Sequence, residues 1–138
     1  MTRDDTYMKS TEIMPEKIQF RVSSTSGFTT GFTVVITVNG QTAGTCRYSN
    51  TDEGAYHDVE VSPAYRGRGL GRLLTLKAIQ IASDYDDIGG YVMDALGHTQ
   101  AMDQVYRSLM RDGLVDGGLG ELHLTAAGEE YLESHVIL

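Results

Sequence analysis

Val59-Glu60-Val61-Ser62-Pro63-Ala64-Tyr65-Arg66-Gly67-Arg68-Gly69-Leu70-Gly71-Arg72 is the stretch whose reading decides the rest of the chain. Val59 and Val61 flank Glu60 at the two-residue period of a strand. Pro63 has no N–H to give a sheet ladder, so the strand ends before it. Glycines at 67, 69 and 71 let the backbone approach a ligand with no Cβ in the way. From Leu70 the apolar residues change to helical spacing: Leu70, Leu73, Leu74, Ala78, Ile81. A glycine turn feeding a helix leaves the first-turn N–H groups without carbonyl partners at the positive end of the helix dipole. That is an anion site, suited to a pyrophosphate. Arg66, Arg68 and Arg72 place three of the chain's eleven Lys and Arg residues here. A tight turn without a ligand needs the glycines but gives no reason for arginines between them.

Three glycine-loop patterns compete for this stretch. A P-loop requires Gly-x4-Gly-Lys-Ser/Thr, and neither Lys-Ser nor Lys-Thr follows these glycines. A dinucleotide fold requires G-x-G-x-x-G, whereas 67, 69 and 71 are spaced G-x-G-x-G. Arg66-x-x-Gly69-x-Gly71 resembles the Arg/Gln-x-x-Gly-x-Gly/Ala loop of the GNAT family of N-acetyltransferases, and Val-x-Val-x-Pro-x-Tyr resembles its lead-in. The resemblance is specific over residues 54 to 83 and weaker from 90 to 114. It implies an α+β (or α/β) fold, a mixed and mainly antiparallel sheet whose fourth and fifth strands splay apart. It further implies acetyl-CoA as acyl donor and direct transfer to a primary amine in a ternary complex.

Composition bounds the partners. At 138 residues the chain has the length of one domain, read as an N-terminal arm over 1–16 and a single domain over 17–138. A net charge of −8 argues against a general nucleic-acid surface and suits basic acceptors. The single cysteine, Cys46, excludes an internal disulfide and fits a reducing compartment. No apolar run approaches the ~20 residues of a membrane span, and no signal-type segment precedes the first strand. The expectation is a cytoplasmic protein with no membrane partner.

Alternating Ile18, Phe20 and Val22 predict a strand over 17–23. A Ser/Thr/Gly loop follows, then a strand through Phe32, Val34, Ile36 and Val38. Asn39-Gly40 is a strong hairpin signal leading into a strand over Gln41–Tyr48. A turn over Asn50–Gly54 and a fourth strand over 55–61 complete the lead-in. The first helix is predicted over 69–83, a short strand over 91–95, and a second helix over 99–111 with the stripe Met102, Val105, Tyr106, Leu109, Met110, ended by Gly113. Leu114-Val115 and Leu122–Leu124 read as short strands and Thr125–His135 as a last helix. This tail is similar, over about ten residues, to the Leu-Thr-x-x-Gly segment of winged-helix regulators. Its Glu129, Glu130 and Glu133 do not suit DNA phosphates, so it is read as a capping element of the domain. The resemblance implies one or two helices between the first two strands. Here only a loop separates them, so the N-terminal helical region is reduced, and the acceptor site is either open or completed by a partner subunit in a homodimer.

Amine acetylation needs a held cofactor, a neutral amine, a stabilised oxyanion and a leaving thiolate. The resemblance places main-chain contacts at Val59, Glu60 and Val61, phosphate contacts over Arg66, Gly67, Arg68, Gly69, Leu70, Gly71 and Arg72, and a further cofactor contact at Thr99. Thr99 stands where the family usually carries asparagine. Val105-Tyr106 matches the end of the family's helix pattern, which makes Tyr106 the candidate that assists the thiolate; the alternative is that it fills the apolar stripe. Some members carry a strand glutamate where this chain has Ala55. His57, on the same face by strand period, is the nearest titratable group and the candidate base; Asp58 and Glu60 point the other way. The histidines are scattered and Cys46 has no ligand partner in sequence, so no metal is expected. A second class of reading uses the same scaffold without catalysis, as an acyl-CoA-binding or partner-blocking protein.

Overall fold

A computed structural model describes residues 16–24, 30–51, 54–84, 91–92, 100–117 and 121–136. Four strands, β1 (Ile18–Ser24), β2 (Thr30–Val38), β3 (Gln41–Thr51) and β4 (Gly54–Val61), pair antiparallel in sequence order. The β2–β3 turn is Asn39-Gly40, with φ of 51° and 84°, the double positive φ that a two-residue hairpin of this hand requires. β3 and β4 run further toward each other than expected. Thr51 pairs with Gly54, so the predicted Asn50–Gly54 turn shortens to two residues that lie outside the described set. Ser24 pairs with Phe32, and among the described residues no α-helix precedes the glycine loop.

One face of this sheet carries Phe32, Val34, Ile36, Cys46 and Tyr48, all buried. It packs on α1 (Leu70–Asp84). The opposite face carries polar groups, including the Arg47–Asp58 pair at 2.9 Å. Helix α1 is the spine of the molecule. The sequence predicts one apolar stripe, but Leu73, Leu74, Thr75, Leu76, Ala78, Ile79 and Ala82 are all buried. The cause is a second layer. α2 (Gln100–Arg111), α3 (Ala126–His135) and a small sheet cover the back of α1. That sheet has the order β5-β7-β6, from β5 (Tyr91–Val92), β6 (Val115–Asp116) and β7 (Glu121–Leu124), and every described pairing is antiparallel. Thr75 is buried without cost to its hydroxyl, which donates to the Gly71 carbonyl one turn back at 2.8 Å.

Helix α2 buries Met102, Tyr106 and Leu109, while Met110 is 39% exposed, against the expected stripe. Met110 stands about 90° around the helix from the centre of the other four, beyond the reach of the core. Gly113 closes the helix with φ +74°: its N–H donates to Met110 at 3.1 Å and that of Leu114 to Leu109 at 3.0 Å, a Schellman ending. The Leu-Thr-x-x-Gly segment also resolves into local chemistry. Thr125 caps α3 by accepting from the Gly128 N–H at 3.1 Å.

Candidate active site at the glycine loop

The site begins where β4 runs out. β3 lies along one edge of β4, and among the described residues no strand pairs with the other edge. β5 belongs to the second sheet, so the two strands part here. The Ser62 N–H donates to the Ala43 carbonyl at 2.8 Å, which makes these two a hydrogen-bonded pair of the ladder. Alternation then assigns Glu60 to Thr45 and Asp58 to Arg47, and turns the N–H and C=O of Val59 and Val61 toward the open edge. Two contacts agree with this. Arg66 Nε donates to the Val61 carbonyl at 3.0 Å, and the Glu60 carbonyl lies 2.8 Å from where a Cβ on Gly44 would stand. Val59 and Val61 therefore present main-chain groups at the edge, whereas those of Glu60 face β3.

A single 3₁₀ turn, Pro63–Tyr65, carries the chain into the loop. Gly67 and Gly69 have φ of +78° and +80°, and a Cβ added to either would meet nothing within 4 Å. Among the described residues, apart from each glycine's own chain neighbours, nothing fills the bend. Gly69 is the residue before α1, and its carbonyl accepts from the Leu73 N–H at 3.2 Å. It has no side chain to cap the first turn, so the N–H groups of Leu70, Gly71 and Arg72 have no carbonyl one turn back. Leu70 contributes only that backbone group, because its side chain is buried. A cavity of about 300 Å³ opens beside the loop, lined by residues of β3, the end of β4 and the loop, with Thr45, Glu60, Ser62 and Arg66 on its walls.

The three loop arginines do not all face the bend. Arg66 returns to its own strand, as above. Arg68 pairs with Glu16, which raises its guanidinium further above its ordinary value, and lies 5.4 Å from the Tyr65 ring. Arg72 turns away to α2, donating to Ser108 Oγ at 3.1 Å and Asp112 Oδ2 at 2.9 Å. Ser108 and Asp112 carry no sequence signal for this role, since nothing local links them to a residue some forty positions away.

Tyr106 is 1% exposed and belongs to the core. His57 lies in β4 opposite Tyr48; its side chain, like Thr99 and the rest of 93–99, lies outside the described residues. Cys46 is buried, and that burial, reinforced by Asp58, pushes its thiol up to about 12. It stays protonated at neutral pH and is no nucleophile. Among the described residues no three His, Cys, Asp or Glu side chains gather to hold a metal, and no helix is long and apolar enough to cross a membrane.

A splayed strand edge, an open glycine bend and an uncapped helix start follow one another in the order that the resemblance of the loop implies. The chain belongs to the acetyltransferase (GNAT) family, whose model matches residues 2–109. The match ends in the last turn of α2, leaving β6, β7 and α3 beyond it. No match was found among curated proteins or among solved structures.

Proposed function

We propose that this protein transfers an acetyl group from acetyl-CoA to a primary amine, directly, within a ternary complex. The observation that carries this reading is the open bend at Gly67 and Gly69 in front of the uncapped start of α1. The residues fit a pyrophosphate. The cradle has no Cβ to obstruct it, and the first-turn N–H groups of Leu70, Gly71 and Arg72 supply donors and the positive end of a dipole. The edge groups of Val59 and Val61 suit the amides of a pantetheine arm, which pairs with a strand as another strand would. Acetyl-CoA supplies the activated thioester; the chain's own residues bind it, orient it and manage the proton. Tyr106 is assigned the proton given to the leaving thiolate, and His57 the proton taken from the amine.

The acceptor is a small molecule or a protein or peptide amine. The net charge of −8 favours a cationic one, with no role for membrane or nucleic acid. Completion of the acceptor wall by a second copy of the chain belongs to the same reading. The test is thiol release from acetyl-CoA across a panel of primary amines. Release with at least one amine is expected, and Tyr106→Phe lowers turnover about 10- to 100-fold with little change in cofactor affinity. Equal turnover in that variant returns Tyr106 to packing.

One observation favours a second reading, a non-catalytic acyl-CoA-binding or partner-blocking protein. Tyr106 is 1% exposed, so its phenol reaches a thiolate only if the core beside it opens. Coenzyme A binding without thiol release from any amine selects that reading.

A further inference from the structure

We propose that Arg72 is a positioning residue that fixes α2, and with it Tyr106, to the cofactor loop. The inference rests on the acetyl-CoA reading above and assigns Arg72 a task other than holding phosphate with its side chain. Arg72 lies in the first turn of α1, so its backbone N–H is one of the three donors facing the bend. Its guanidinium leaves in the opposite sense. Nη1 donates to Ser108 Oγ at 3.1 Å and Nη2 to Asp112 Oδ2 at 2.9 Å. Ser108 Oγ passes the contact on, donating to the Val105 carbonyl at 3.0 Å, next to Tyr106 in sequence. The Tyr131 ring of α3 lies 5.7 Å from the guanidinium carbon and covers it.

This contact is better formed than an ordinary surface pair. The Arg72 side chain is 24% exposed, against 62% and 74% for the arginines paired with Asp58 and Asp103. Two groups on α2 and its ending, separated by one helical turn, are held by one planar fork, a geometry that lysine cannot reproduce. Arg72 Nε is buried and among the described residues has no hydrogen-bond partner, a desolvated donor retained beside two satisfied ones. One residue thus has its N–H in the anion cradle and its guanidinium on the helix of the candidate acid. Occupation of the cradle orders α1's first turn and, through Arg72, the Val105–Ser108 turn that carries Tyr106.

The test uses variants outside the loop, Asp112→Asn and Ser108→Ala, beside Arg72→Lys, each checked for a cooperative thermal transition. Hydrogen exchange over residues 100–111 is measured with and without coenzyme A, together with kcat and coenzyme A affinity. Coenzyme A is expected to slow exchange in α2 of the wild-type protein and to lose most of that effect in Asp112→Asn. In the same variant kcat falls about 10-fold while affinity changes less than about threefold, since misplacement of a reacting group costs rate before binding. Arg72→Lys behaves like Asp112→Asn. If the variants keep wild-type exchange and kcat, the coupling is overturned. If Arg72→Lys instead loses affinity in step with kcat/KM while Asp112→Asn is normal, Arg72 is a phosphate ligand and the proposal is equally overturned. Failure of the wild-type protein to bind coenzyme A is a different result: it removes the acetyl-CoA reading and the coupling with it.

Discussion

Two helices of this protein begin at glycine-bearing junctions, and they are built for opposite ends. At the start of α3, Thr125 Oγ1 donates to the Gly113 carbonyl at 2.6 Å and accepts from the Gly128 N–H at 3.1 Å. The Thr125 N–H donates to Leu114 at 3.1 Å, and a Cβ on Gly128 would stand 2.1 Å from the Leu114 carbonyl oxygen. At the start of α1 a Cβ on Gly67 or Gly69 would meet nothing within 4 Å, and Gly69 has no side chain to cap with. One junction uses glycine because the protein itself fills the space. The other uses glycine and leaves the space open. A glycine whose Cβ would collide serves packing; one whose Cβ would meet nothing, beside uncapped N–H groups, leaves room that a ligand could use.

The largest expected contrast is in stability. Gly128→Val drives a side chain into a backbone carbonyl, which no rotamer change relieves. It is expected to cost about 3 kcal/mol or more, a fall in Tm of roughly 10 °C. Gly69→Ala meets no neighbour and costs only the left-handed strain of about 1–2 kcal/mol. Equal losses in thermal melts would erase the distinction. Next, Thr125→Ala removes the cap of α3 and costs about 1 kcal/mol, while Thr125→Ser keeps most of it. The smallest effect concerns the contact between the two regions, since Arg72 belongs to the open junction and Asp112 to the helix ending beside the closed one. The hydrogen bond from Arg72 holds the Asp112 carboxyl below its usual range. A carboxyl depressed in the folded state stabilises above its unfolded pKa and loses that contribution as pH falls through the folded one. The Tm gap between wild type and Asp112→Asn is therefore expected at neutral pH and vanishes in acid. A gap that grows in acid contradicts the assignment.

The comparison also explains what the sequence discloses. Strand periods, Asn39-Gly40, Pro63 and the glycine loop are local signals, and each predicts an element found close to where it was expected. The Leu-Thr-x-x-Gly segment reads as a capping element of the domain, whereas its local role, with Thr125 as the N-cap of α3, comes from the structure. What is not legible is non-local. One apolar stripe predicts one covered face of α1, yet a second layer buries the back as well. Glu60 reads as an edge contact beside Val59 and Val61, but ladder alternation, fixed by the register against β3, turns its main chain inward. The three loop arginines read as phosphate ligands from their position, while their partners Val61, Glu16 and Asp112 come from folding. Charge near an anion site is visible in a sequence; the direction in which a guanidinium turns is not.

The central claim is that the open glycine bend holds a diphosphate through bare main-chain amides. Calorimetric titration of coenzyme A into the wild-type protein and into Gly69→Glu tests it most directly. The account predicts measurable binding by the wild type and a loss of at least about 100-fold in the variant, which places a side chain and a negative charge in the cradle. Unchanged affinity in a variant that still melts cooperatively contradicts it.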